Sequence, residues 1–294
     1  MTESSCPICR GVRAQDYLKC RDHLVTGEEF AIVRCMDCGL LYTHPAPDEK
    51  HIERYYRSEN YVPHTDASQG WINTLYHMVR SVSVRQKARR VEKTTKINRG
   101  RILDYGCGTG AFLAEMRRRG WECTGLEPDP GARQVARHKH GLELWDYDTL
   151  WNLPERHFDA VTLWHVLEHV HRLHETTQRL RQAMRDEGVL FIAVPNAEAH
   201  EARIYGNYWA AYEVPRHLYH FTADDVEHLA RLHDLRIVQK KLMPFDAFYV
   251  SILSEKYRKG FWPVGIWNGL LSNVAAVFNV RRSSSLLYVL KKRS

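Results

Sequence analysis

This chain contains no internal repeat, no opening basic segment followed by an apolar run, and no even set of cysteines. The first absence argues against solenoids and propellers. The second sets the expectation of a chain without a secretory leader. The third argues against a closed disulfide framework, because seven cysteines cannot all pair. A reducing, cytoplasmic setting is therefore expected. There is also no strong excess of one charge: 42 Lys and Arg face 35 Asp and Glu, for a formal net charge of +7. That balance fits an anionic partner such as a phosphorylated substrate, an acidic membrane face or RNA, and it fits ordinary solubility as well. With 44% hydrophobic and 26% charged residues over 294 positions, one large core with a small annex is expected, and the composition argues against global disorder.

What is present is most informative at residues 102–110, Ile-Leu-Asp-Tyr-Gly-Cys-Gly-Thr-Gly. A short apolar strand runs into Gly106, Gly108 and Gly110, and a helix pattern begins at Ala111. Glycines on alternating positions let bare backbone approach a ligand, since no side chain intervenes. The spacing G-x-G-x-G differs from the G-x-G-x-x-G of dinucleotide sites, and an acid, Asp104, stands just before the turn. Glu127 follows about 20 positions later at the end of the next apolar run, where an acid accepts hydrogen bonds from a ribose.

From Arg101 onward strand and helix patterns alternate. Strands are expected at 101–104, 122–126, 142–145, 159–163, 188–194, 235–240 and 286–291, with helices at 111–119, 130–139, 174–185 and 223–232. Asp129 and Pro130 form a helix start, and Thr222 with Asp225 forms a capping box with Asp in place of Glu. The alternation predicts an α/β, doubly wound, mostly parallel seven-stranded sheet with helices on both faces. Three regions follow: a cysteine-knuckled segment 1–45, a linker and helical cap 46–98, and a main domain 99–294. Within the last, 197–222 reads as a substrate lid and 245–283 as a helical insertion. The cap helix, about 71–96, carries a basic face including Arg85, Lys87, Arg89, Arg90 and Lys93.

Cys6-Pro-Ile-Cys9 and Cys35-Met-Asp-Cys38 are separated by 25 residues. That is tetrahedral zinc spacing, with each knuckle aiming two thiolates at one ion. Four thiolates close the coordination sphere, so the zinc is expected to be structural, and so short a segment needs it to fold. Free thiols or a redox dithiol are the alternatives. Cys20 is left outside the set.

The turn at Asp104–Gly110 with Gly125-Leu-Glu-Pro128 resembles the first two motifs of class I S-adenosylmethionine-dependent methyltransferases. Trp164-His-Val-Leu-Glu-His-Val170 and Pro215-Arg-His-Leu-Tyr-His-Phe-Thr222 resemble the branch that includes ubiquinone-biosynthesis methyltransferases, and the cysteine segment resembles a zinc ribbon. The resemblance implies S-adenosylmethionine as cofactor. Asp104, Tyr105, Gly106, Cys107, Gly108 and Gly110 would shape its pocket, Glu127 and Pro128 would hold the ribose, and Asp146 or Asp148 would meet the adenine. Trp164 and His165 are further candidates for the cofactor pocket. His165, Tyr212, His217 and His220 are the candidate catalytic groups, and Arg216 is a candidate receptor for a phosphate or carboxylate. Some relatives bind a divalent metal through Glu-x-x-Glu-His; here His165 replaces the first Glu of that pattern, beside Glu168 and His169.

Residues 261–280 carry no charge and are flanked by Arg258, Lys259, Arg281 and Arg282. Three Asn, two Gly, a Ser and a Pro make this a poor membrane span. A buried helical insertion is one reading. The other is a peripheral contact with the inner face of a membrane, anchored by Trp262 and Trp267. The acceptor expected from the resemblance is a small molecule: a sugar, nucleotide-sugar, or lipid-linked glycan or natural-product intermediate, phosphorylated forms included. An RNA methyltransferase using the ribbon and basic helix is the alternative; against it, no Asn/Asp-Pro-Pro-Tyr follows the fourth strand. A third reading is a cofactor-binding scaffold without catalysis.

Overall fold

The computed structural model describes residues 5–56 and 71–293, and the side chains of the first helix from Ser81 onward. Of the linker and helical cap expected at 46–98, residues 57–70 lie outside the described residues. Two sheets organise the chain. The first is built from β1 (Ala14–Arg21), β2 (Glu29–Cys35) and β3 (Leu41–His44). Helix α1 (Trp71–Thr95) then leads into the second sheet.

That sheet begins with β4 (Arg101–Tyr105), α2 (Ala111–Arg118), β5 (Glu122–Leu126) and α3 (Pro130–His140). β6 (Phe158–Trp164), α4 (Leu173–Ala183) and β7 (Met184–Pro195) follow. After α5 (His200–Tyr205) and the two-residue β8 (Tyr219–His220) come α6 (Ala223–Leu232) and β9 (Leu235–Leu242). Two helices, α7 (Pro244–Tyr257) and α8 (Trp262–Phe278), precede the final strand β10 (Ser285–Lys292).

The large sheet has the order β5-β4-β6-β7-β10-β9. β5, β4, β6 and β7 are parallel, and β10 runs antiparallel to both of its neighbours. From β4 the chain goes outward to β5 and then returns to β6 on the other side. The crevice at the carboxyl ends of β4 and β6 is thus a topological switch point, the place where open parallel sheets bind ligands. Residues Gly188–Val194 of β7 are all buried, as expected of a strand covered on both faces.

The seventh strand expected at 142–145 is reduced to one parallel bridge between Trp145 and Leu126. Asp146 ends it by accepting the Asp148 N–H and starting a 3-10 turn at Tyr147–Asn152, so the backbone leaves the sheet edge after one pair. Six strands remain, in a mostly parallel α/β sheet. The helix starts follow the local chemistry. Asp129 accepts the Gly131 N–H at 2.8 Å, and Thr222 and Asp225 form the reciprocal capping box.

The small sheet has the order β1-β2-β3-β8. Its last strand comes from the lid, with Leu41 opposite His220 and Tyr42 opposite Tyr219. Ribbon and main domain consequently share one core: Ile8, Leu40 and Tyr42 pack in the same cluster as Leu163, Leu190, Leu218 and Phe221. A second core lies on the α1–α2 side of the sheet, and a third joins β1–β2 to the lid around Trp209 and Tyr212. No helix among the described residues is long and apolar enough to cross a membrane.

Candidate active site

At the end of β4 the chain reverses through Gly106, Gly108 and Gly110, with φ of 76°, 54° and 75°. These are left-handed values that side chains rarely adopt. A Cβ on Gly106 would also stand 2.8 Å from Val166 Cγ1 and 3.0 Å from the Tyr147 hydroxyl. The turn is tied to β5 by Gly106 N–H and Cys107 N–H donating to Leu126 O, at 2.8 and 3.1 Å. Glu127 then lies against it: its carboxylate accepts Gly108 N–H at 2.8 Å and Asp129 N–H at 3.0 Å. Burial pushes this carboxyl up, against the two backbone bonds that favour its charge. Each oxygen carries one of these bonds and retains capacity for another donor, which is what a ribose diol supplies.

Asp104, before the turn, is 2% exposed and accepts the Thr162 hydroxyl at 2.6 Å. Burial, with Glu127 nearby, pushes it up to about 7 despite Thr162 and Lys87. Tyr105 stacks on Tyr147 with ring centroids 4.2 Å apart, and Cys107 is buried in the turn. Arg133 was not singled out from the sequence. It binds Pro128 O and Asp146 Oδ2, both at 2.8 Å, and so joins the loops after β5 and before the 3-10 turn. Asp146 is thereby tied to the loop after β5, although its side chain, like that of Asp148, is exposed.

Trp164, at the end of β6, packs edge-on against Phe112 and under the Lys87 ammonium, 4.6 Å from its ring. That contact, with Ala88 and Val91 fully buried, shows that part of the basic helix is packed onto the sheet rather than left as an open cationic face. The indole N–H of Trp164 is buried without a hydrogen-bond partner among the described residues. His165 takes a left-handed φ of 61° and hydrogen-bonds its backbone N–H to Ala193 O at 2.9 Å. Its ring meets Asp246, in the first turn of α7, at 3.1 Å and Glu168 at 3.8 Å. Burial lowers the imidazole, but Asp246 and then Glu168 outweigh it and raise it to about 9. His165 is therefore a cation at neutral pH, suited to donating a hydrogen bond. Asp246 lies 81 positions downstream, in a helix start marked by Pro244, but nothing local pairs it with His165.

His165, Glu168, His169 and His217 converge. Glu168 is 0% exposed and neither carboxylate oxygen has a hydrogen-bond partner among the described residues. Burial pushes it up, but His165, His217 and His169 together hold it below the usual range. His169 Nδ1 lies 3.0 Å from Arg216 O and 2.9 Å from the Tyr56 hydroxyl, and the carbonyl is met by a proton on Nδ1. His217 Nδ1 likewise donates to Ala211 O at 2.8 Å. With Nδ1 engaged on each ring, Nε2 is the atom each has left for the cluster, and that of His217 also lies 3.7 Å from a Glu213 carboxylate oxygen. Burial and the neighbouring His217 lower His169 to about 4, which keeps it neutral. One ligand atom from each of Glu168, His169 and His217 lies within 4.8 Å of the others, a donor set able to hold a divalent cation.

Two candidate catalytic groups lie elsewhere. His220 is buried with Nε2 3.1 Å from the Thr43 hydroxyl, and Tyr212 packs edge-on against it and against Trp209. Pairing of β8 with β3 turns both into the joint between ribbon and lid. Arg216 is not an open anion receptor: it is 1% exposed and donates to Asp22 at 3.0 Å, Tyr55 O at 2.9 Å and Glu213 at 3.1 Å. The Thr43 hydroxyl donates to His217 O at 2.7 Å, so β3 of the ribbon holds the segment that carries His217.

The four ribbon cysteines converge as their spacing predicts. Cys6 and Cys38 Sγ are 3.6 Å apart and Cys9 and Cys35 Sγ 3.5 Å. A Zn–S length of roughly 2.3 Å sets tetrahedral S···S edges near roughly 3.8 Å, so the set fits zinc. Gly11 N–H and Asp37 N–H point at Cys9 and Cys35 Sγ at 3.4 Å, the outer contacts that steady thiolates.

Residues 78–240, more than half of the chain, match a family described as a methyltransferase domain. The chain is similar to a ubiquinone biosynthesis O-methyltransferase of Alkalilimnicola ehrlichii, 44% identical over 78 residues that make up 24% of this chain and 31% of that one. Its likeness to the Glaesserella parasuis enzyme of the same name is 28% over 143 residues, 44% of this chain and 61% of that one. The chain thus spans less than two thirds of the length of these relatives. Among solved structures, magnesium protoporphyrin IX methyltransferase from Synechocystis superposes with a TM-score of 0.52 at 12% identity, covering 78% of this chain and 90% of that one. The [4+2]-cyclase SpnF gives 0.51 at 16% identity, over 71% and 80%. These likenesses carry the fold. With the switch-point turn, Glu127 and the matched family span, the chain belongs to the methyltransferase-domain family and has the class I S-adenosylmethionine-dependent architecture.

Proposed function

We propose that the protein transfers the methyl group of S-adenosylmethionine to a small-molecule acceptor of the sugar, nucleotide-sugar or lipid-linked kind. The observation that carries the reading is the Glu127 carboxylate, buried beside the glycine turn and held by two backbone N–H groups. When bound, S-adenosylmethionine supplies a sulfonium-activated methyl group. The chain's residues position and deprotonate. Glu127 accepts the two ribose hydroxyls, and the turn at Gly106–Gly110 lets the cofactor approach the backbone. His217, whose Nδ1 is engaged by Ala211 O, leaves Nε2 as the proton acceptor, while cationic His165 orients the acceptor through a donated hydrogen bond. If instead Glu168, His169 and His217 hold a divalent cation, it would polarise an acceptor oxygen and His217 would be a ligand rather than the base. The lid excludes water.

Calorimetry with S-adenosylmethionine tests the core of this reading. Glu127→Ala is expected to weaken binding at least a hundredfold, since a buried ribose pair would lose its only carboxylate; unchanged affinity refutes it. Isotope transfer from labelled cofactor to a panel of nucleotide-sugars and polyprenyl-linked glycans then identifies the acceptor.

A further inference from the structure

The α7–α8 hairpin is inside out for a soluble protein. Gly265, Gly269, Ser272 and Ala276 of α8 are buried, and the two glycines press on the α7 backbone: a Cβ on Gly265 would stand 2.7 Å from Ile252 Cα, and one on Gly269 2.9 Å from Phe248 Cα. The large side chains are left outside. Trp262, Ile266, Trp267, Leu270, Val274 and Phe278 form one exposed stripe along the helix, ending on Phe278 at 87% exposure. An amphipathic surface helix does the opposite, and a continuous exposed apolar stripe marks an interaction site.

The charges decide what meets it. Residues 244–280 contain two acids, Asp246 and Glu255, and both are engaged inward, with His165 and with Arg258 and Tyr205. The bases Lys256 and Lys259 are exposed where the helices connect, next to exposed Phe261 and Trp262, while Arg258 beside them is paired with Glu255. The outer face is therefore apolar with a cationic, aromatic end and no exposed acid. We propose that this hairpin docks the protein on an anionic lipid bilayer, with the α8 stripe entering the acyl boundary and the connecting bases meeting lipid phosphates. A second copy fits less well, because this face carries no exposed acid to pair the exposed bases of a partner copy. Docking does not depend on the acceptor. As a corollary that rests on the methyl-transfer reading, Asp246 at the start of α7 contacts His165, so the docked face adjoins the site and favours an acceptor anchored in lipid.

Vesicle flotation with the full chain tests this. Vesicles of phosphatidylglycerol and phosphatidylcholine are expected to carry the protein up, and pure phosphatidylcholine at least tenfold less. Trp262→Ser/Trp267→Ser/Phe278→Ser is expected to weaken binding at least tenfold while S-adenosylmethionine affinity and circular dichroism stay unchanged. Lys256→Glu/Lys259→Glu is expected to remove the preference for the anionic vesicle. If the triple variant does not fold, quenching of the wild-type fluorescence by brominated lipid, reduced in Trp267→Phe, provides the same evidence. Absence of flotation, flotation indifferent to these substitutions, or a dimer in light scattering that the triple variant dissolves without any vesicle binding overturns the proposal. Because cofactor affinity is measured separately, loss of docking and loss of the methyl-transfer reading are distinguishable.

Discussion

Replacing Arg216 by methionine tests the joint between ribbon and lid. The guanidinium serves three segments at once, through Asp22 at the end of the β1 hairpin, Tyr55 O in the linker and Glu213 in the lid. Methionine keeps the stem's bulk and removes every donor. Taking one partner from a buried ion pair costs about 3–5 kcal/mol, because the other charge stays buried. Asp22 keeps Leu24 N–H, Val25 N–H, Thr26 N–H and the Thr26 hydroxyl as donors. The lower end, about 3 kcal/mol, is therefore expected. At roughly 2–4 °C per kcal/mol in chains of this order, Tm falls by about 6–12 °C. Urea titration of Arg216→Met, Asp22→Asn and the double variant measures the coupling, expected at about 1–3 kcal/mol. The pH dependence has a definite sign. Burial pushes Asp22 up, but Arg216 outweighs it and the carboxyl lies below its ordinary value. Its contribution is thus present above about pH 4 and is lost as pH falls through the lowered folded value, so wild type and Arg216→Met converge in acid. A stability change under about 0.5 kcal/mol, together with a raised KM for a phosphorylated acceptor, would refute the reasoning and return Arg216 to the substrate.

The remaining expectations concern the metal, a buried acid and the His165 pair. The reduced protein is expected to carry one zinc, and Cys35→Ser should lose it and raise the acceptor KM with little effect on cofactor affinity, because Thr43 on β3 holds the His217 segment; metal analysis finding none rules out the ribbon. Asp104, raised to about 7 by burial, favours the fold while protonated, so its contribution to stability without cofactor is fully present below about pH 4 and is lost as pH rises through about 7. Asp104→Asn keeps an acceptor for Thr162 and should remove most of that decline in a pH series of urea melts; an unchanged slope contradicts the assignment. Asp246→Asn should move the His165 titration from about 9 toward the ordinary imidazole range, visible by NMR and as a shifted pH–rate profile at constant S-adenosylmethionine affinity. A profile that does not move takes His165 out of the chemistry.

The glycine turn, Glu127 and the four cysteines were readable from sequence because each rests on local constraints. Positive φ demands glycine, a helix start wants Asp129-Pro130, and a knuckle needs two thiols a fixed distance apart. Strand and helix periods were legible for the same reason, and they failed at 142–145, where Asp146 capping a 3-10 turn took the backbone from the sheet edge. His217 was singled out with His220 and Tyr212 because all three share one aromatic segment; only its neighbours in space separate them.

What the sequence by itself determined is the parallel sheet with its switch-point turn and the thiolate set of the ribbon, both written in short-range spacing. Only the tertiary structure decided that β8 completes the ribbon's sheet, that Arg216 meets Asp22 across 194 positions, and that Asp246 reaches His165. It also decided that α8 turns its small residues inward and its large ones out. A two-residue strand is too short to leave a period, and a long-range ion pair leaves no spacing to read. Those partners are chosen by which edges and charges the packed core leaves unsatisfied.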